Sequence, residues 1–175
     1  MTEKYPHKFN PSKIHPTAFC APGSHVIGDV HIGAESSLWF NSILRGDVNF
    51  IRVGDRTNIQ DLTMVHVSYQ ASPCIIGNDV TVGHSCVLHA CTVKDFALIG
   101  MGSIILDDAE IGEFVMLGAG SLVTQRTKIP PRTLAFGRPA KVIRELNEEE
   151  IQELRFSASH YVQLAKTYRE SKHSS

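Results

Sequence analysis

The stretch VKDFALIGMGSIILDDAEIGEFVMLGAGSLVTQRTKI, residues 93–129, carries an aliphatic residue at every sixth position: Val93, Ile99, Ile105, Ile111, Leu117, Val123 and Ile129. The same rule runs backwards through Ile76, Val82 and Leu88, then Val53, Ile59 and Val65, then Ile14, Cys20, Val26, Ile32, Leu38 and Leu44, with short slips between runs. Four positions after these residues comes a second set of small or β-branched ones, among them Ser36, Thr57, Val80, Ala97 and Val115. A helix of period 3.6 cannot hold a six-residue rule over this length. Short strands joined by tight corners can, because each coil stacks on the next and shares ladder hydrogen bonds at about 4.8 Å spacing. Three hexads per coil make an all-β solenoid, a single-stranded parallel β-helix of roughly six coils and about 30 Å in height. The competing architecture, a sandwich or barrel of short strands, shows turn signals every 8–12 residues instead.

The expected organisation is an N-terminal extension over 1–13, the β-helix over 14–131, an exit loop over 132–146, a C-terminal α-helix over 147–170 and a frayed tail over 171–175. The repeat stops at Pro130-Pro131. Asn147 followed by three glutamates marks a helix N-cap with an acidic first turn. Ile151, Leu154, Tyr161, Leu164, Ala165 and Tyr168 form an apolar stripe that needs a surface to lie on, one face of this prism or of a neighbouring one.

At 175 residues the chain can bury a core without staples. A net charge of -1 and a pI near 6.7 leave no basic footprint for nucleic acid or an anionic membrane. No apolar run approaches the roughly 20 residues that cross a bilayer, and MTEKYPHKFNP has no apolar signal region, so the expected location is cytoplasmic. Cys20, Cys74, Cys86 and Cys91 form no C-x-x-C pair and are expected as reduced thiols, Cys20 and Cys86 facing inward.

Three of the nine histidines lie in MVHVSYQASPCIIGNDVTVGHSCVLHA, residues 64–90. If residues 69–73 are a loop inserted at a corner, Val65 and Leu88 are the same position of successive coils. His66 and His89 then stack one strand spacing apart and point outward. Carrying the count over the slip before Val53 puts Arg45 in the same column. His84 falls on the preceding face near a corner, above Asp61 with Gln60 beside it, where it would reach a metal of an adjoining prism more readily than that of the pair. The geometry therefore suggests a trimer with metal sites at its subunit interfaces. Solvated histidines, or histidines buried in a dry interface, are the plainer alternative. His7, His15, His25, His31, His160 and His173 lie outside the constellation and read as surface.

The blocks ILRGDVNFIRVGDRTNIQDLTMVHV, IGNDVTVGHSCVLHACTV, IGMGSIILDDAEIGEFVMLGAGSLV and FGRPAKVIREL resemble the gamma-class carbonic anhydrase family over residues 10–170. The resemblance implies a left-handed β-helix and a homotrimer. It implies a metal, zinc or in some members iron or cobalt, held by His66, His84 and His89 with one ligand from the adjacent subunit. Arg45, Asp47 and Asp61 match the family's interface ion pairs. Gln60 matches a side chain that bonds the metal-bound water, Asn58 another polar residue lining the site, and Tyr161 a tyrosine bordering it from the last helix. The implied reaction is reversible hydration of carbon dioxide to bicarbonate.

The chain departs from the best-characterised form of the family at two acids implicated in proton transfer. Val48 stands where one glutamate is expected, and the loop SYQASP carries none. It looks more like the shorter-loop members, which include ferripyochelin-binding-like proteins, and a slow enzyme is expected. Hexapeptide-repeat acyltransferases share the same prism and use an interface histidine as general base toward an acyl-CoA donor. A metal-containing binding or scaffold protein without turnover is the third reading.

Overall fold

A computed structural model describes residues 11–171 of the chain. The expectations for residues 1–10, for His7 and His173, and for the tail from 172 onward lie outside the described residues. The rest forms a left-handed parallel β-helix of about seven turns with a C-terminal helix.

Each repeat column is a line of inward side chains on one face of a triangular prism. Val26, Leu44, Val65, Leu88, Ile105 and Val123 pair coil to coil on the first face. Cys20, Leu38, Ile59, Val82, Ile99, Leu117 and Ala135 do so on the second. Ile14, Ile32, Val53, Ile76, Val93, Ile111 and Ile129 line the third. From Leu38 upward these aliphatic side chains are buried. The small second set sits inside the corners, where its hydroxyls find backbone carbonyls: Thr57 Oγ1 donates to Gly77 O at 2.7 Å and Thr63 Oγ1 to Gly83 O at 2.9 Å. A polar residue is tolerated in the core because its hydrogen bond is made there.

Three features differ from the sequence reading. The six-residue rule continues one step past Pro130-Pro131 to Ala135, which adds a level to the second face and gives about seven turns in place of six. The segment expected as an exit loop is an antiparallel hairpin, Thr133–Gly137 against Ala140–Glu145. Cys20 is exposed because it lies in the lowest coil, whereas Cys74 and Cys91, absent from the inward columns, are buried; all four cysteines are free thiols.

The helix α1, Glu148–Glu170, starts at a capping box. Asn147 Oδ1 accepts from Glu150 N–H while Glu150 Oε2 accepts from Asn147 N–H, both at 2.9 Å. Ile151, Leu154, Ala158, Val162 and Ala165 are its buried face. Tyr161 and Tyr168 lie at the edge of that stripe, edge-on to Trp39 at 5.6 and 5.2 Å. The helix packs on this chain's own second face. Arg155 clamps it there, its guanidinium 4.6 and 4.8 Å from the stacked rings of Phe96 and Phe114, and the Lys166–Glu35 pair at 2.7 Å secures the far end. No helix is long and apolar enough to cross a membrane among the described residues.

Replacing Asn147 by Ala is expected to remove one cap bond and lower stability by about 1 kcal/mol. Leu88→Ala, which empties a fully buried position in the middle of the stack, is expected to cost roughly 2–5 kcal/mol. Urea unfolding of the two variants beside the parent chain measures both.

Candidate metal centre

The ladder fixes where the histidines stand. Arg45 is registered on His66 and His66 on His89, so the three form the vertical row expected from the count. His66 Nδ1 and His89 Nε2 lie 3.2 Å apart. On the far side of each ring is a carboxylate: His66 Nε2 meets Asp47 Oδ1 at 3.1 Å, and His89 Nδ1 meets Asp107 Oδ1 at 2.6 Å. The His84 ring also has a carboxylate neighbour, its Nδ1 2.8 Å from Asp61 Oδ2, but without the alignment of a hydrogen bond. A carboxylate accepts and never donates when ionised, so His66 Nε2 and His89 Nδ1 carry the ring protons.

That assignment leaves His66 Nδ1 and His89 Nε2 as two bare lone pairs facing each other. Neutral imidazoles in this arrangement repel unless a proton or a cation sits between them. Two nitrogens held tetrahedrally at 2.0–2.1 Å from one metal are about 3.3 Å apart, so the observed separation fits a shared cation. The donor set fits too: imidazoles whose outer N–H is held by a carboxylate are oriented and made more basic as ligands. Among the described residues no three His, Cys, Asp or Glu side chains gather into one metal-holding group within the chain. His84 stands apart from the pair.

Electrostatics favour the neutral form of His66. Burial pushes His66 below the ordinary histidine range; the Arg45 charge adds to this, and Asp47 opposes it without reversing it. Burial would raise Asp47, but hydrogen bonds from Arg45, at 2.6 Å, and from His66 outweigh it and hold the carboxyl below its usual value. Asp107 is likewise held down, the hydrogen bonds from Ser68 and His89 overcoming its burial. The Arg45–Asp47 pair forms within one chain.

A cleft of about 460 Å³ opens beside His84 between the second face and α1, with Gln60, Ser157 and Tyr161 among its lining and Leu98, Met116 and Leu134 along its apolar wall. Gln60 and Asn58 are buried and bonded to each other, Gln60 Nε2 donating to Asn58 Oδ1 at 3.1 Å. Tyr161 is half-buried there. Burial, and then the charge of Asp61, raise its phenol above the ordinary range, so it remains a hydroxyl donor near neutral pH. His15, His25 and His160 are exposed; His31 is half-buried, 3.7 Å from Asp29. Asp107 is absent from the sequence-derived set, although the count places it beside the corner above His89. Ser68 and Ser72, in the loop without acids, hydrogen-bond Asp107 and Asp108, so the carboxylates that meet this loop come from the next coil.

A gamma carbonic anhydrase 1 of Arabidopsis thaliana mitochondria is 49% identical over 86% of the chain, which spans 57% of that protein. A carbonic anhydrase of Geobacillus kaustophilus is 51% identical over 94% of the chain and 90% of its own length. Among solved structures, a Bacillus cereus protein provisionally described as an acetyltransferase superposes with a TM-score of 0.92 at 52% identity, covering 95% of this chain and 96% of that one. No family model matches. The chain belongs to the gamma carbonic anhydrase family.

The unfolded chain protonates His66 near pH 6.5, whereas the folded protein resists this to lower pH. Below about 6.5 the unfolded state therefore binds more protons, and the metal-free protein loses stability as pH falls from there through the lower folded value. His66→Gln is expected to flatten that part of the stability profile, measured by urea unfolding between pH 7.5 and 5.

Proposed function

We propose that this member of the gamma carbonic anhydrase family assembles as a homotrimer that holds a divalent cation, zinc or alternatively iron or cobalt, at each subunit interface and hydrates carbon dioxide reversibly to bicarbonate. His66 and His89 of one copy and His84 of the next would be the ligands. The observation that carries this reading is the 3.2 Å approach of two imidazole nitrogens whose partners across each ring are carboxylates. The family relatives named carbonic anhydrase support the reaction class.

A bound cation supplies Lewis acidity, which brings the ionisation of water from about pH 15.7 toward roughly 7. The chain's own groups do the rest. Asp47 and Asp107 hold the outer ring protons of His66 and His89 and so present the other nitrogen of each toward the cation, while Asp61 stands beside the His84 ring. Gln60, braced by Asn58, orients a water molecule through its amide, and the Tyr161 hydroxyl borders the same space. The apolar wall of the cleft suits an apolar gas, and bicarbonate leaves as an anion.

Proton removal sets the pace. Val48 offers no acceptor, and the carboxylates of Asp47 and Asp107 already accept from His66 and His89. Soluble buffer then takes the proton, and turnover should rise with buffer concentration well beyond the level at which an enzyme with its own shuttle saturates. A cleft of this volume also exceeds what carbon dioxide needs, which keeps the acyltransferase reading in play; it requires acyl-CoA binding and turnover without metal.

Metal analysis followed by stopped-flow hydration of carbon dioxide tests the proposal. The parent chain should hold about one cation per subunit and hydrate faster than buffer alone, and His89→Ala should abolish both. Asp107→Asn should weaken metal affinity roughly 10- to 100-fold in competition with a chelator. Metal-free protein that acylates an acceptor from acyl-CoA, or hydration unchanged by His89→Ala, contradicts it.

A further inference from the structure

Four polar side chains run in a line from the candidate site to the C-terminal helix. Gln60 Nε2 donates to Asn58 Oδ1 at 3.1 Å. Asn58 Nδ2 donates to the backbone carbonyl of Val80 at 3.3 Å and to Thr81 Oγ1 at 3.0 Å. Thr81 Oγ1 and Ser157 Oγ, the latter on α1, share a hydrogen bond of 3.0 Å. Gln60, Asn58 and Thr81 are 5%, 1% and 5% exposed.

A side-chain amide can turn over, exchanging its oxygen for its NH2 group. This line forbids the exchange. The Val80 carbonyl only accepts, so it holds the Asn58 NH2 toward itself, and Thr81 Oγ1 offers a second acceptor on the same side. Asn58 Oδ1 must then face Gln60, and only the Gln60 NH2 can meet it; the reverse would press two carbonyl oxygens together. Gln60 is left with Oε1 free to accept on the side of the cleft it lines. An acceptor is what a water proton needs.

We propose that Thr81 and Ser157 are positioning residues for hydration, acting through Asn58 to hold the Gln60 amide with Oε1 toward the reacting water. This rests on the carbon dioxide reading for its kinetic consequence, though not for its structural one. Because Ser157 belongs to α1, docking of the C-terminal helix is part of building the site rather than only a cover for the prism.

The experiment compares Thr81→Val, Thr81→Ser and Ser157→Ala in the metal-loaded full chain, with side-chain amide NMR on 15N-labelled protein beside hydration kinetics. Thr81→Val keeps the shape and removes the hydroxyl. It should shift the Asn58 and Gln60 NH2 resonances, speed their exchange with water, and lower kcat roughly two- to tenfold, the share of one neutral hydrogen bond, at unchanged KM and metal content. Thr81→Ser should restore all three readouts, and Ser157→Ala should show a smaller change in the same direction. If Thr81→Val does not fold, Ser157→Ala at the end of the line carries the test. Amide resonances and kcat that stay put in both hydroxyl-deleting variants, or a Ser variant that behaves as the Val one, overturn the proposal. A parent chain that hydrates no carbon dioxide yet shows the amide shifts defeats the reaction assigned above and leaves the positioning intact.

Discussion

The hydrogen-bond ladder between one coil and the next is the constraint on which everything else in this molecule rests. It holds Val65 over Leu44 and Leu88 over Val65, and so it sets His66 and His89 one above the other. A strand alternates its faces with period two, so a slip of one residue would turn the histidines into the core and Val65 or Leu88 out of it. The buried aliphatic columns oppose that slip at every level. The site is thus exact in position because the core is regular, and its geometry does not depend on a flexible loop.

What the ladder supplies is proximity; what makes the site chemically distinct is the carboxylate on the other side of each ring. Two imidazoles in contact would ordinarily share one proton. Asp47 and Asp107 place the protons on the outer nitrogens, while burial and Arg45 keep a further proton off His66. The inner edge is consequently rich in lone pairs. That is the electronic character of a cation site, and it arises from residues on four successive levels of the prism.

Much of this is legible in the sequence because a six-residue rule converts directly into vertical neighbours. The Arg45–His66–His89 row and the Asp61 beneath His84 both follow from counting. The extra turn at Ala135 is harder to see, since two prolines interrupt the pattern. Pro130 occupies the position of Gly112, whose N–H donates to Ile129 O in the coil above. Among the described residues no coil stands above Pro130 on that face, so its missing donor costs nothing. Asp107, Thr81 and Ser157 were hidden for another reason: their parts are played by side-chain hydrogen bonds between coils, or between coil and helix, and such bonds leave no period. Ser157 lies 76 positions from its partner.

In the trimer proposed above, two copies of the chain complete one site, His66 and His89 coming from the first and His84 from the second. Mixing chains tests it most directly. His84→Ala and His89→Ala chains, each unable to bind metal alone, are co-expressed and the mixed assembly is analysed for metal. Random mixing should restore about a quarter of the sites, those where an intact His66–His89 pair meets an intact His84. Mixed assemblies that remain as metal-free as either parent, or a His84→Ala chain that keeps its full metal content, would contradict the claim.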